Sequence, residues 1–213
     1  MVSQLTPEEI AQLIVKRDRA FGPTVNRVGP PPKRRNAPLD KRFPALIESI
    51  ASQLVSIKAA DTIYARIVAI CDGEVSPRSL AAAGFESIRS AGLSTTKAQA
   101  MLELSGHVLN GQINIEQHHK MPSSEVAKEL MSVRGIGPWT AEMYLLFSLA
   151  RQDVWPHLDY GVRAGWSSIH ALPEMISIKE LKAAGAVFAG VESHAAWYCW
   201  RALEHERQQF HKG

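Results

Sequence analysis

Gly135-Ile136-Gly137-Pro138 and Asp159 are the residues of this chain whose types and order point to chemistry. Glycine is needed where a backbone takes positive φ or meets a ligand with no Cβ in the way, and proline suits a helix's first turn. A tight turn that ends one helix and opens another presents unpaired N–H groups at the positive end of a helix dipole, a site for one phosphate. On the other side of such a turn, the carbonyls of Met131, Val133 and Gly135 could share a monovalent cation, sodium or potassium, with that phosphate. Asp159 adds one carboxylate downstream. Both features also admit plainer roles: Gly-X-Gly as an ordinary corner between helices, and Asp159 as the N-cap of a helix starting at Tyr160.

Other functions are disfavoured by the same residues. A dinucleotide-binding turn lacks its third glycine, since Thr140 stands in that place, and no strand precedes it. The segment Trp139-Thr140-Ala141-Glu142-Met143-Tyr144-Leu145-Leu146-Phe147 is too apolar to be a recognition helix facing base edges. His118 and His119 are adjacent rather than at metal-ligand spacing, and two cysteines, Cys71 and Cys199, build neither a zinc site nor an iron–sulfur cluster. No zinc or iron–sulfur cofactor is therefore expected.

The elements that must position these residues read as helices throughout, and the expected fold class is all-α. Apolar residues recur at three- and four-residue steps over 43 to 57 and 60 to 71, with Leu54 as one of the core positions on spacing alone. Further helices are expected at about 7 to 20, 77 to 83, 94 to 109, 123 to 133, 138 to 150, 160 to 169, 177 to 188 and 193 to 210. Thr6 before Pro7 with Glu9, Ser123 and Ser177 mark starts. Residues 22 to 40 hold Pro23, Pro30, Pro31, Pro32 and Pro38 around Lys33-Arg34-Arg35, and are read as an irregular basic loop.

With 213 residues, 46% of them hydrophobic and 21% charged, the chain can bury one large domain or two intimate lobes. No apolar window reaches membrane-spanning length, and Met1-Val2-Ser3-Gln4 does not open a signal peptide. A soluble cytoplasmic protein is expected. The net charge of +3 divides unevenly: residues 1 to 42 carry nine Lys or Arg against four acids, which leaves the remainder negative. Binding of nucleic acid by the body of the chain must then rest on backbone amides and a few placed side chains.

The string Arg134-Gly135-Ile136-Gly137-Pro138-Trp139-Thr140-Ala141, then Asp153-Val154-Trp155-Pro156 and Asp159-Tyr160-Gly161-Val162-Arg163, resembles the hairpin and catalytic segment of the helix-hairpin-helix DNA glycosylases, within them the AlkA-type 3-methyladenine DNA glycosylases. Gln53-Leu54-Val55-Ser56 and Ala195-Ala196-Trp197-Tyr198-Cys199-Trp200-Arg201 extend the likeness over roughly 43 to 205. The resemblance implies two helical lobes, about 44–150 and about 1–43 plus 151–213, with an active-site cleft between them, in a compact form without the additional N-terminal β-domain. It implies a monomeric hydrolase of base excision repair that flips an alkylated base out of double-stranded DNA.

Residue by residue, the likeness makes Asp159 catalytic and puts Trp139, Met143 and Val191 around the base. Gly135, Gly137, Pro138, Thr140, Gln53 and Leu54 would contact DNA, Leu54 as an apolar wedge in the minor groove. One carboxylate suffices in principle, because an N3- or N7-alkylated purine already carries positive charge and departs neutral. Trp139 occupies the place of the Schiff-base lysine of strand-nicking relatives, so lyase activity is not expected. The chain departs from the family pattern at Met143, where a tyrosine is frequent, at Leu158 and at Gly190-Val191-Glu192-Ser193. These departures predict a less aromatic pocket and modest discrimination among alkylated bases. The rival reading is a non-catalytic protein that binds alkylation damage.

Overall fold

The computed structural model describes residues 5 to 210, with the side chains of 206 to 210 left out, so Met1-Val2-Ser3-Gln4 lie outside it. Among the described residues the fold is helical, with no strand and no helix long and apolar enough to cross a membrane. The elements are α1 (Pro7–Arg17), α2 (Gly22–Val28), α3 (Leu39–Ser52), α4 (Ile57–Ile70), α5 (Pro77–Ser90), α6 (Thr95–Leu109), α7 (Ser123–Leu130), α8 (Pro138–Phe147), α9 (Tyr160–Ile169), α10 (Ile178–Ala184) and α11 (Glu192–Phe210), with short 3₁₀ turns between some of them. Local chemistry explains the starts. Thr6 with Glu9 and Ser177 with Glu180 form reciprocal capping boxes. At α7, by contrast, Ser123 is already helical and Pro122 occupies the cap position without a side-chain bond.

The chain divides into two compact units, residues 1–34 with 151–213, and residues 35–150. The expected boundary at 43/44 falls inside α3. Residues 35 to 43 stay with the second unit because Ala37 N–H donates to Ser148 O at 2.8 Å and buried Arg42 donates to Ala37 O and Ile115 O.

Three expectations are corrected. Residues 22 to 28, read as irregular, form α2: Pro23 lies in its first turn, where a missing N–H costs nothing, and the breaker-rich composition acts only after Gly29. The expected helix at 77 to 83 is the first half of α5, which Gly84 (φ 76°, ψ 169°) interrupts with a non-helical kink, and the second half, to Ser90, was not expected. Helix α3 ends at Ser52, so Leu54 leaves the helix that its spacing suggested.

In the unit of residues 35–150, the apolar stripes of α3 (Phe43, Leu46, Ile47, Ile50), α6 (Met101, Leu104) and α8 (Leu145, Leu146) close over one core. In the other unit, Phe21, Trp166 and Phe188 meet edge to face at centroid distances of 5.2 to 6.2 Å. There α9 and α11 touch backbone to backbone: a Cβ on Gly165 would lie 1.9 Å from Cys199 O. The basic stretch contributes inward too, since Arg34 donates to Ser193 O at 3.2 Å beside buried His194.

Burial and the neighbouring Arg34 charge push the His194 imidazole down to about 4 from its ordinary 6.5. An unfolded chain takes up that proton near pH 6.5 and the folded one only near 4, so this site's contribution to stability is full above pH 6.5 and is lost as pH falls toward 4. Denaturant unfolding across that interval should show a falling midpoint, and His194→Gln should flatten the fall. Equal pH slopes for the two proteins would contradict it.

Candidate nucleic-acid interface and reactive carboxylate

Helices α7 and α8 and residues 131 to 137 between them form a helix-hairpin-helix. The two glycines serve different ends. Gly135 has φ of 98°, and a Cβ there would lie 2.9 Å from Ala100 Cβ on α6, so both conformation and packing require glycine. Gly137 is extended (φ −97°, ψ 178°) and a Cβ on it would meet nothing within 4 Å. Its bareness leaves open space at the start of α8, whose first turn has no side-chain cap. An uncapped helix start is where the backbone dipoles favour an anion. Thr140 is turned inward as a whole: the residue is 1% exposed and its Oγ1 accepts from Gln53 Nε2 at 2.8 Å.

Of the three carbonyls expected to face a cation, Val133 O accepts Ile136 N–H at 3.1 Å and Gly135 O accepts Gln53 Nε2 at 3.0 Å. Each retains a second lone pair. Neutral oxygens without a carboxylate suit a monovalent ion better than a divalent one.

Gln53 joins this hairpin to the α3–α4 loop. Its amide donates to Gly135 O and to Thr140 Oγ1, while Lys97 of α6 donates from Nζ to Ala51 O at 2.9 Å and to Gln53 O at 2.5 Å. Lys97 thereby satisfies carbonyls that the end of α3 leaves without helical partners. Half-burial at this position holds its ammonium below the usual lysine range. Leu54, braced from both sides, sits at φ 55° and is 104% exposed. A left-handed leucine costs about 1–2 kcal/mol and exposing it forgoes its burial, two costs with no structural return in the free protein.

A cavity of about 380 Å³ lies within the same unit, between α3 and α8, lined by Glu48, Ser49 and Ser52 on one side and Trp139, Met143 and Phe147 on the other. Trp139 and Met143 are thus brought together as the sequence suggested. Tyr144, also at the cavity, bonds through its hydroxyl to the Nδ1 of fully buried His118 at 2.9 Å. His118 has a packing role that its adjacency to His119 concealed. Among the described residues no cluster of three or more His, Cys, Asp or Glu could hold a metal ion.

Asp159 and Val191 belong to the other unit. Val191 is 2% exposed and lies in the core with Phe21, Phe188 and Ala195, so the expected base-pocket residue is found in a core position. Asp159 caps α9, its Oδ1 accepting Val162 N–H at 2.8 Å, and the same Oδ1 accepts the indole N–H of Trp200 at 2.8 Å. The plainer role expected of Asp159, the helix cap, is thus observed. Gly161 makes the indole's approach feasible, since a Cβ there would lie 2.8 Å from Trp200 Cδ1. The Asp159 charge, after burial itself, pushes the Cys199 thiol well above its ordinary value. Sequence reasoning missed the partnership of Trp200, which stands among aromatic residues of α11 that look like core.

The two glycines give a contrast that calorimetry or thermal denaturation can read. Gly135→Ala should destabilise by about 2 kcal/mol or more, from positive φ and overlap with Ala100. Gly137→Ala should stay within about 0.5 kcal/mol of the native protein. Equal losses at both positions would contradict the assignment of separate roles.

Residues 47–188 match the family model of the HhH-GPD superfamily base excision DNA repair protein. The chain is 32% identical over 173 residues to DNA-3-methyladenine glycosylase 1 of Schizosaccharomyces pombe, across 79% of this chain and 76% of that one. Among solved structures, the S. pombe 3-methyladenine DNA glycosylase (Mag1) in complex with abasic DNA superposes with a TM-score of 0.83 at 29% identity, covering 90% of this chain and 95% of that one. The DNA-3-methyladenine glycosidase of Bacillus halodurans follows at a TM-score of 0.75 and 31% identity, with 91% and 88% covered. Hairpin, wedge-like loop, capping carboxylate and these likenesses agree: the chain belongs to the HhH-GPD superfamily of base excision DNA repair proteins.

Proposed function

We propose that this protein is a monofunctional DNA glycosylase that releases alkylated bases, 3-methyladenine, 7-methylguanine and their kin, from double-stranded DNA by hydrolysing the N-glycosidic bond. The observation that carries the reading is Leu54, fully exposed at positive φ and tied through Gln53 to the hairpin carbonyl of Gly135. A side chain held out at such cost has its use in a stacked duplex, filling the gap that a flipped nucleotide leaves. Likeness to DNA-3-methyladenine glycosylase 1 of S. pombe supports the alkylated base as substrate.

In this reading the amides at Gly137 and the start of α8 hold one phosphate, with the carbonyls of Met131, Val133 and Gly135 available to a sodium or potassium ion that would neutralise part of its charge. Trp139 lies against the flipped base, an electron-rich face toward a cationic heterocycle. The bond from C1′ to the base breaks with its electron pair going to the base, which leaves neutral because it arrived positive. Asp159 faces the positive charge that develops on the sugar; water adds at C1′ and gives up its proton, for which Asp159 is the acceptor. The hydrogen bonds from Val162 N–H and Trp200 Nε1 fix the carboxylate's orientation beforehand. Without a lysine at position 139 no Schiff base forms, so the abasic strand stays intact. One copy of the chain carries every residue these steps use, and a monomer is proposed.

Incubation with alkylated duplex DNA tests this reading. The native protein should release free 7-methylguanine and 3-methyladenine and leave the strand unbroken until alkali is added. Asp159→Asn should lower release by at least about 10²-fold, the scale of a lost charge-stabilising group. Equal release by both proteins would contradict the mechanism, and none by either would favour the damage-binding alternative.

A further inference from the structure

The cavity against α8 has a polar wall that the family resemblance does not supply. Ala45, Glu48, Ser49 and Ser52 line it from α3, at the i, i+3, i+4, i+7 spacing of one helix face. The neighbouring stripe of the same helix, Phe43, Leu46, Ile47 and Ile50, is the one that fills the core. Across the cavity stand Trp139, Met143 and Phe147. Met143 is soft and apolar and offers no ring to stack, so the aromatic faces on this side come from its neighbours Trp139, Tyr144 and Phe147.

The polar wall is not equally open along its length. Ser49 Oγ has no hydrogen-bond partner among the described residues, but it is shut off from solvent, and so from anything in the cavity unless its side chain turns. Glu48 is exposed, and among the described residues no lysine or arginine forms an ion pair with it. Its negative charge is felt nearby, where it adds to burial in raising the Tyr64 hydroxyl.

We infer that Glu48 is a specificity-determining residue that makes this pocket prefer a positively charged base, an N3- or N7-alkylated purine, over its neutral parent. The inference rests on the proposed reading of Trp139 and Met143 as base-pocket residues. Carboxylate and indole face both attract a cation and give a neutral ring much less. Charge recognition thereby takes over work that an aromatic residue at position 143 would do by stacking. The gain lies in holding the flipped cation, not in breaking the bond, because the base loses its charge as it departs.

Binding therefore tests it better than turnover. In the Asp159→Asn protein, dissociation constants are measured for one duplex carrying 7-methylguanine and for the same duplex carrying guanine, so that phosphate attraction cancels in their ratio. With Glu48 present the alkylated duplex should be preferred; Glu48→Gln should shrink the preference about three- to tenfold, the scale of one partly exposed charge pair, and Glu48→Lys should shrink it further. An exposed position makes either change compatible with folding, which an unchanged thermal midpoint checks. An unchanged preference in both variants overturns the inference. The broader reading fails separately, when the protein with Asp159 intact releases no base from alkylated DNA.

Discussion

The amide of Gln53 is the constraint on which the rest of the candidate interface depends. One side chain spans from the end of α3 to the hairpin, donating to Gly135 O and Thr140 Oγ1, and so makes a loop and a turn distant in sequence into one rigid piece. Lys97 completes the brace from α6 by holding Ala51 O and Gln53 O. None of these four bonds is strong in water, each being worth about 1–3 kcal/mol net, but together they hold an exposed leucine in a backbone conformation that it would not choose. Strain of this kind persists only where surrounding contacts over-determine it, and it concentrates where a protein meets its ligand.

A second economy appears around Asp159. Its Oδ1 satisfies a helix end and fixes a carboxylate in the same geometry, with Trp200 supplying the second donor. Close approach of α9 and α11 makes this possible, and it rests on Gly161 and Gly165, where a methyl group would meet the Trp200 indole or the Cys199 carbonyl. Packing, capping and the proposed chemistry are thus not separable properties of this segment. The fold subtracts freedom from the carboxylate before any substrate arrives, which is the structural form of preorganisation.

What could be read from sequence alone follows from how locally each feature is encoded. The helices were legible because their apolar period and their caps, Thr6 with Glu9 and Ser177 with Glu180, lie within a few residues. Gly135 and Gly137 announced a turn, but only coordinates separated the glycine required by φ and Ala100 from the one that leaves space. Leu54 was misplaced into a helix since its spacing matches Ile50 and Ile57; what ends α3 before it is the distant brace from Lys97 and the hairpin, invisible to periodicity. The run after Gly22 looked too rich in breakers for α2, because a proline in the first turn starts a helix as readily as one in the middle ends it. Val191, expected at the pocket, occupies a core position, and Glu48 went unnoticed as one more charge on an amphipathic helix.

In the proposed reading, the Gln53 brace makes the hairpin and the Leu54 wedge a single device for opening a duplex. Fluorescence of 2-aminopurine placed beside a lesion in duplex DNA reports unstacking directly. The native protein should raise it on binding, and Gln53→Ala, which leaves the hairpin amides in place but frees the Leu54 loop, should bind the duplex while losing most of that rise. An undiminished rise with Gln53→Ala would contradict the claim.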